Sequence, residues 1–502
     1  MHKIFDRKDL KNFDNIIVYG AGYFGNYILR YLSHYGFDKR KVTVMDVNWK
    51  KKSPMFGYVA TEPNFMPASN KGINTIVIIA MNRKKYTTTI DNLYAQFLNA
   101  GYNTIIGFEA FMGVEVISEN QFIVDTPPLL YQDEIDFSDM KPLVKPIAFY
   151  LPQFHEIPEN SKWWGEGFTE WTNVKKARPK YVGHYQPREP HDDLGYYDLS
   201  DVKIIRKQAA MAKRHGIYGW NIYYYWFSGK TLLTKPLDLI LENKDIDIHF
   251  CLTWCNHSWS KSWVGNKHET LIECEYLEHD PEKFIDDIKK YIDDERYIKV
   301  DGKPLVSVYL AQDMVDASDI IERWRNRARE IGIGEIYVNS TIRPFTLAEL
   351  GLQATFDSEM EFFSWWYAFA AENPKLYQME KDNEFISSII SRYVDFVRGY
   401  KNITSENNNA AYMCVPCGFD NTPRYEKNYR LHSLEFSLND YYNFVKYATE
   451  QTIAQGKEYM FLFAWNEWAE SAYLEPDKKT GYAMLNTLSK AINGLPLDYK
   501  GI

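Results

Sequence analysis

The chain is 502 residues long, 45% apolar and 25% charged, the balance of a soluble protein with enough material for a sizeable core. That length accommodates about three domains, or one large barrel and a smaller companion. A net charge of −9 excludes a nucleic-acid or anionic-membrane surface, and no window approaches the roughly 18 consecutive apolar residues of a membrane helix. The five cysteines imply no disulfide framework, and the polar first ten residues carry no apolar stretch of the secretory kind, so a cytoplasmic location is expected.

The N-terminal quarter alternates strands and helices. A strand at 15–19 runs into Gly20-Ala-Gly22-Tyr-Phe-Gly25, a helix follows to residue 35, and further strands are expected at 41–45, 75–80 and 103–107. Such alternation implies a parallel sheet with right-handed crossovers. Gly20 suits the tight turn, Gly22 close approach of a pyrophosphate, and Gly25 close helix–strand packing. Asp46, at the end of the second strand, suits a ribose. Residues 1–125 therefore read as a small Rossmann-like domain in which Gly20, Gly22, Gly25 and Asp46 would hold a nucleotide or nucleotide sugar. The alternative is a turn retained for packing alone. The domain resembles the small Rossmann-like domains attached to bacterial sugar-modifying and polysaccharide-assembly proteins. A linker rich in proline and acid follows at 126–144.

From 145 to 502, strand candidates fall at 147–154, 219–227, 248–254, 305–310, 336–340, 354–360, 411–418 and 459–465. Helical stretches lie between most of them, among them 199–215, 281–292, 317–331, 438–454 and 482–493. Eight such units give a (β/α)8 TIM barrel, whose function sits at the C-terminal ends of the strands. Polar and aromatic clusters fall there: His155 with Trp163, Trp164, Glu166, Glu170 and Trp171; Tyr224, Tyr225 and Trp226; Trp254, Asn256, His257, Trp259 and Trp263; Glu359; and Asn466, Glu467, Trp468, Glu470 and Glu475. Asp420 and Arg424, after strand seven, are candidate sugar contacts. The aromatic fraction of 16% fits either sugar-binding faces or an aromatic-rich core.

Glu467 and Glu470 are the catalytic candidates. Two carboxylates among tryptophans suit glycosidic-bond chemistry, one working on the bridging oxygen and the other on the sugar side of an oxocarbenium-like transition state. Both reach one pocket only if the chain turns after Glu467, and the small residues Ala469, Ser471 and Ala472 permit that turn. The Cys414-Val-Pro-Cys417 spacing is better explained by buried strand cysteines than by a metal site.

The run Asn466-Glu-Trp-Ala-Glu-Ser-Ala-Tyr-Leu-Glu-Pro476 resembles the NEWxEGxxxEP signature of family 99 glycoside hydrolases, the endo-α-mannosidase and endo-mannanase group, and still more their WbsX-type relatives encoded with bacterial O-antigen and capsule genes. Further matches are Phe149-Tyr-Leu-Pro-Gln-Phe-His155, Trp163 to Trp171, Gly183-His-Tyr-Gln-Pro187, Leu194-Gly-Tyr-Tyr-Asp198 and Tyr224-Tyr-Trp-Phe-Ser-Gly-Lys230. The resemblance implies a retaining barrel enzyme with no metal or other cofactor in catalysis, acting on a surface polysaccharide or its precursor. It implies that Glu467 deprotonates the substrate's 2-hydroxyl, giving a 1,2-anhydro sugar, and that Glu470 is the acid/base at the departing oxygen. Ser471 stands in place of the usual glycine, and His257 in place of the relatives' acidic residue. Three functions stay open: a hydrolase, a glycosyltransferase of O-antigen or capsule assembly, and a non-catalytic glycan binder.

Overall fold

A computed structural model describes residues 7–52, 54, 56–64, 74–81, 87–118, 129–181, 183–260, 270–341, 347–362, 376–381, 384–385, 389–395, 397–398, 411–425, 430–434 and 436–497. The chain forms two compact units, one comprising residues 1–118 and 365–391, the other 119–364 and 392–502.

In the first unit, strands Asn15–Tyr19, Val42–Met45, Ala60–Thr61, Thr75–Ile79 and Thr104–Gly107 form one sheet. Numbered along the chain, their order across it is 3-2-1-4-5, and every pairing is parallel. The sheet has five strands where the sequence reading counts four; Ala60–Thr61, two residues long, is too short to carry a periodic signal. Side chains alternate between two buried faces. Ile16, Val18, Val44, Ile76 and Ile78 pack with Ile28 and Leu32 of the helix Tyr23–His34. Ile17, Tyr19, Val77 and Ile79 pack with Ile90, Leu93 and Phe97 of the helix Thr87–Asn99. Strand Leu376–Lys381 lies far along the chain yet groups with this unit, because it pairs parallel with Val114–Ser118.

The second unit is a nearly closed parallel barrel. Its strands are Lys145–Tyr150, Gly219–Phe227, His249–Trp254, Lys303–Val308, Tyr337–Thr341, Ser358–Met360, the split seventh strand Ala411–Tyr412 with Cys414–Pro416, and Tyr459–Phe463. Each pairs parallel with its sequence neighbour, and the eighth returns to the first. The seventh strand breaks at Met413. Its first half pairs with strand six and its second with strand eight, and the Phe461 N–H donates to the Met413 carbonyl at 2.8 Å across the break.

The helices Val202–Arg214, Asp280–Ile292, Ala317–Glu330, Leu438–Ala454 and Ala483–Ile492 coincide with the stretches read from the sequence. Asp201, Asp316 and Ser437 cap three of them by accepting a backbone N–H. Residues 129–144 do not hang free as a spacer. Tyr482 N–H donates to the Gln132 carbonyl at 2.9 Å, Leu143 N–H to the Ile492 carbonyl at 2.9 Å, and Phe137 is buried. Among the described residues, no helix is long and apolar enough to cross a membrane.

Candidate active site

The chain turns after Glu467, as two carboxylates three residues apart require if they are to share a pocket. Asn466–Glu467 pairs antiparallel with Ala472–Tyr473, and a 3-10 turn, Trp468–Glu470, connects them. Ser471 closes the turn at φ 50, in the left-handed region where a glycine carries no Cβ penalty. Its hydroxyl accepts from Gln186 Nε2 at 3.0 Å, and the same nitrogen donates to Asp420 at 2.8 Å. Asp420 also accepts from His184 Nε2 at 2.8 Å, and its backbone N–H donates to the Glu470 carbonyl at 2.7 Å. Burial opposes the Asp420 charge, but His184 and Arg188 overcome it and hold the carboxyl well below the usual range. The Gly183-His-Tyr-Gln-Pro187 stretch thus acts by bracing the turn that carries Glu470.

Asn466 fixes the other side of the turn. Its Oδ1 accepts from Leu151 N–H at 2.7 Å and its Nδ2 donates to the Leu151 carbonyl at 3.0 Å, joining the ends of strands eight and one. Beneath it lies Glu475. Gln208 Nε2 donates to Glu475 at 2.6 Å, Trp468 Nε1 at 2.6 Å and Tyr197 hydroxyl at 2.8 Å. Burial pushes this carboxyl up to about 7, with the three donors pulling the other way. Trp468 is fully buried and stacks on Tyr473 at 3.8 Å, so it packs rather than facing an open pocket.

One guanidinium organises the centre. Arg424 donates from Nε to Glu170 at 2.8 Å and from Nη2 to Glu467 at 3.0 Å, and its Nη1 pairs with Glu470. The side chains of Glu170, Glu467 and Glu470 are 0%, 6% and 20% exposed, so the cluster opens to solvent through Glu470. Burial and then the Glu470 charge push the Glu467 carboxyl above the usual range, and Arg424 pulls it back. Two carboxylates that act on each other in this way resist double ionisation.

The run 223–226 divides by the pleat. Tyr223 and Tyr225 share the electrostatic field of Glu467, and Tyr225 also that of Arg424 and Glu170. Tyr224 and Trp226 face outward, against Phe284, and Trp226 Nε1 donates to Asp287 at 2.8 Å. Trp254 joins them, 5.6 Å from the Trp324 ring. Asn256 ties strand three to strand four through the Leu310 carbonyl (2.7 Å) and N–H (2.8 Å). Glu359 accepts from Leu347 N–H at 2.7 Å. His257 sits 5.6 Å from the Tyr309 ring.

In the first loop, His155 is buried and donates from Nδ1 to the Pro152 carbonyl at 2.9 Å; burial lowers its pKa and favours the neutral ring. Trp171 is packed between Phe154 and Trp468. Trp163 and Trp164 are half-buried, and Trp163, Trp259 and Tyr225 form a line of rings 5.9 and 5.0 Å apart. Glu166 is exposed, and Trp263 lies outside the described residues. Cys414 and Cys417 are buried thiols whose pKa burial raises.

In the first unit the three glycines differ. Gly20 has φ 103 and a Cβ there would meet the Ala80 carbonyl at 3.0 Å; a Cβ on Gly25 would lie 1.7 Å from the Gly20 carbonyl. Gly22 has an ordinary extended backbone, and a Cβ there would meet nothing within 4 Å. Packing therefore requires Gly20 and Gly25 but not Gly22. Asp46 already accepts from Ala21 N–H and Asn48 N–H, both at 2.7 Å, so its oxygens brace the glycine turn.

A family profile described as glycosyltransferase WbsX matches residues 146–488. The WxcX proteins of two strains of Xanthomonas campestris pv. campestris are 35% identical over 357 residues, covering 70% of this chain and 50% of theirs. The chain thus spans about half the length of these curated relatives. Among solved structures, an endo-α-mannosidase of family 99 from Bacteroides thetaiotaomicron aligns at 16% identity and TM-score 0.39, covering 68% of this chain and 95% of that one. A glycoside hydrolase-like protein aligns at 12% and 0.44, covering 75% and 99%. On the extent of the profile match and the identity to WxcX, the chain belongs to the WbsX family of carbohydrate-active enzymes.

Proposed function

We propose that the barrel breaks a glycosidic bond of a bacterial surface polysaccharide or its precursor with retention, using Glu467 and Glu470. The observation that carries this reading is the buried contact of both carboxylates with one guanidinium at the C-terminal rim of a parallel barrel. A pair that resists double ionisation keeps one carboxyl as an acid beside one ionised as a base. Glu470, the more exposed, donates its proton to the bridging oxygen as the C1–O bond breaks. Glu467 takes the proton of the 2-hydroxyl, whose oxygen closes on C1 to a 1,2-anhydro sugar. Water deprotonated by Glu470 then opens the ring and Glu467 returns its proton, so atoms and protons balance. Burial and the Glu470 charge favour the proton on Glu467 in the resting pair, so the cycle begins when bound substrate draws that proton to Glu470 and leaves Glu467 as a base of raised pKa.

The family's name favours a second reading, transfer. The same cycle delivers the sugar to an acceptor hydroxyl when that hydroxyl replaces water. The open approach at Gly22, above a helix with no side-chain cap and no acidic residue in its first turn, supports a nucleotide or nucleotide sugar in the first unit. Offering α-linked oligosaccharides and nucleotide sugars separately, with products followed by mass spectrometry, tests both readings. Oligosaccharide turnover lost in Glu470→Gln is expected; transfer from a nucleotide sugar that survives in the variant contradicts the role of the pair.

A further inference from the structure

Glu170 and Arg424 stand beside the glutamate pair, one on a helix after strand one and the other in the loop after strand seven. Glu170 begins the helix Glu170–Lys176, is fully buried, and has one carboxylate oxygen committed to Arg424 Nε at 2.8 Å and to Asn173 Nδ2 at 3.3 Å. Its other oxygen has no hydrogen-bond partner among the described residues. A fully buried carboxylate gripping the inner nitrogen of a guanidinium is badly placed to meet a sugar and well placed to hold the guanidinium still. The guanidinium is a rigid planar fork. With Nε fixed by Glu170, one terminal nitrogen meets Glu467 and the other Glu470.

We infer that Glu170 and Arg424 are a positioning pair that holds the two catalytic carboxylates apart in charge and orientation, so that a single proton is placed between them for the reaction. The inference rests on the proposed role of Glu467 and Glu470. It reassigns Glu170 and Arg424 from sugar contacts to groups acting through that pair. Glu170 acts on Glu467 as a like charge and Arg424 as an opposite one. Removing the two members of this one ion pair therefore moves Glu467 in opposite directions. A salt bridge that serves only the fold lowers Tm when broken and leaves kcat of the folded variants unchanged.

Among the described residues, the charged and titratable groups facing Glu467 come from four elements. They are Glu470 on its own turn, Glu170 on the helix after strand one, Tyr223 and Tyr225 on strand two, and Arg424 after strand seven. Cys255, after strand three, acts on the two tyrosines. Burial raises both tyrosine hydroxyls well above their ordinary range and holds them neutral, so the two shifts are read against a constant background.

The test is titration of the Glu467 side-chain carboxyl by carbon-13 NMR on the full chain labelled at glutamate, with the resonance assigned by its loss in Glu467→Gln. Glu170→Gln is expected to move the midpoint to lower pH, and Arg424→Gln to higher pH; Arg424→Lys, which keeps the charge but not the fork, falls between wild type and Arg424→Gln. Circular dichroism and Tm identify any variant that fails to fold, and Arg424→Lys together with Glu170→Gln then carries the comparison. In turnover, kcat falls about a hundredfold in Glu170→Gln, the scale of a small misplacement of catalytic groups, while KM changes little. Shifts in the same direction, or none, overturn the inference whether or not a glycan is turned over. Opposite shifts without turnover of any glycan leave the positioning pair standing and remove the proposed reaction instead.

Discussion

Arg424 and Glu467 are 43 positions apart in sequence and joined by a 3.0 Å hydrogen bond in a pocket where both side chains are at least nine-tenths buried. That bond brings the loop after strand seven onto the C-terminal end of strand eight. It also makes the charge on Glu467 a property of its neighbours rather than of its own sequence motif.

The pleat of strand two gives a direct prediction. Tyr223→Phe and Tyr225→Phe remove hydroxyls from the side of the strand that shares the field of Glu467, and turnover is expected to fall about tenfold or more in each. Tyr224→Phe removes one that faces Phe284 and Tyr291 in the helix layer, and kcat/KM stays within about twofold. Steady-state kinetics of the three variants checks the alternation.

At position 471 a serine occupies a left-handed backbone conformation. Ser471→Gly relieves about 1 kcal/mol of Cβ strain and loses a hydrogen bond from Gln186 of similar worth, so Tm is expected to change little and turnover to survive. Ser471→Val adds a β-branched side chain at the same φ and is expected to lower Tm and displace Glu470. Thermal unfolding and activity of the two variants separate the outcomes.

Glu475 makes stability depend on pH. The unfolded chain ionises this carboxyl near its ordinary value of 4.5, and the folded chain only near about 7. Between those values the folded state holds the extra proton, so stability falls as pH rises, by on the order of 1–3 kcal/mol. Glu475→Gln cannot ionise and turns an N–H toward a donor such as Trp468 or Tyr197. It is expected to lower Tm at every pH while flattening the fall between about 4.5 and 7. Denaturant unfolding across that range measures both effects.

The glycine turn separates packing from binding. Gly25→Ala forces a Cβ into the Gly20 carbonyl and is expected to unfold the first unit. Gly22→Ala meets nothing, so Tm stays unchanged while a bound pyrophosphate is pushed out. Calorimetry with NAD, UDP-sugars and CoA on wild type and Gly22→Ala reads the second effect. Wild-type protein that binds none of them leaves Gly22 without a ligand role.

Much of the fold was legible because its signals are local. Apolar runs such as Ile76–Ile79 and Phe461–Phe463, alternating with helical stretches, specify parallel strands whatever surrounds them. The two-residue strand Ala60–Thr61, the break at Met413 and the return of Leu376–Lys381 to Val114–Ser118 depend on partners distant in sequence, and no local pattern carries them. The same division holds at the site. Glu467 and Glu470 share one short motif and could be read directly. Arg424 could be placed at a strand end, but its grip on Glu170, 254 positions away, exists only in the folded chain. The pleat could have been read: in a strand, Tyr223 and Tyr225 share a face that Tyr224 and Trp226 do not.

Single-turnover reaction of an α-linked oligosaccharide with wild type, Glu467→Gln and Glu470→Gln tests the role of the glutamate pair most directly, with the anomeric configuration of the product read by NMR before it equilibrates. Retention by the wild type is expected, together with a loss of at least about a hundredfold in each variant while Tm and circular dichroism stay native. An inverted product, or a variant that turns over at the wild-type rate, contradicts it.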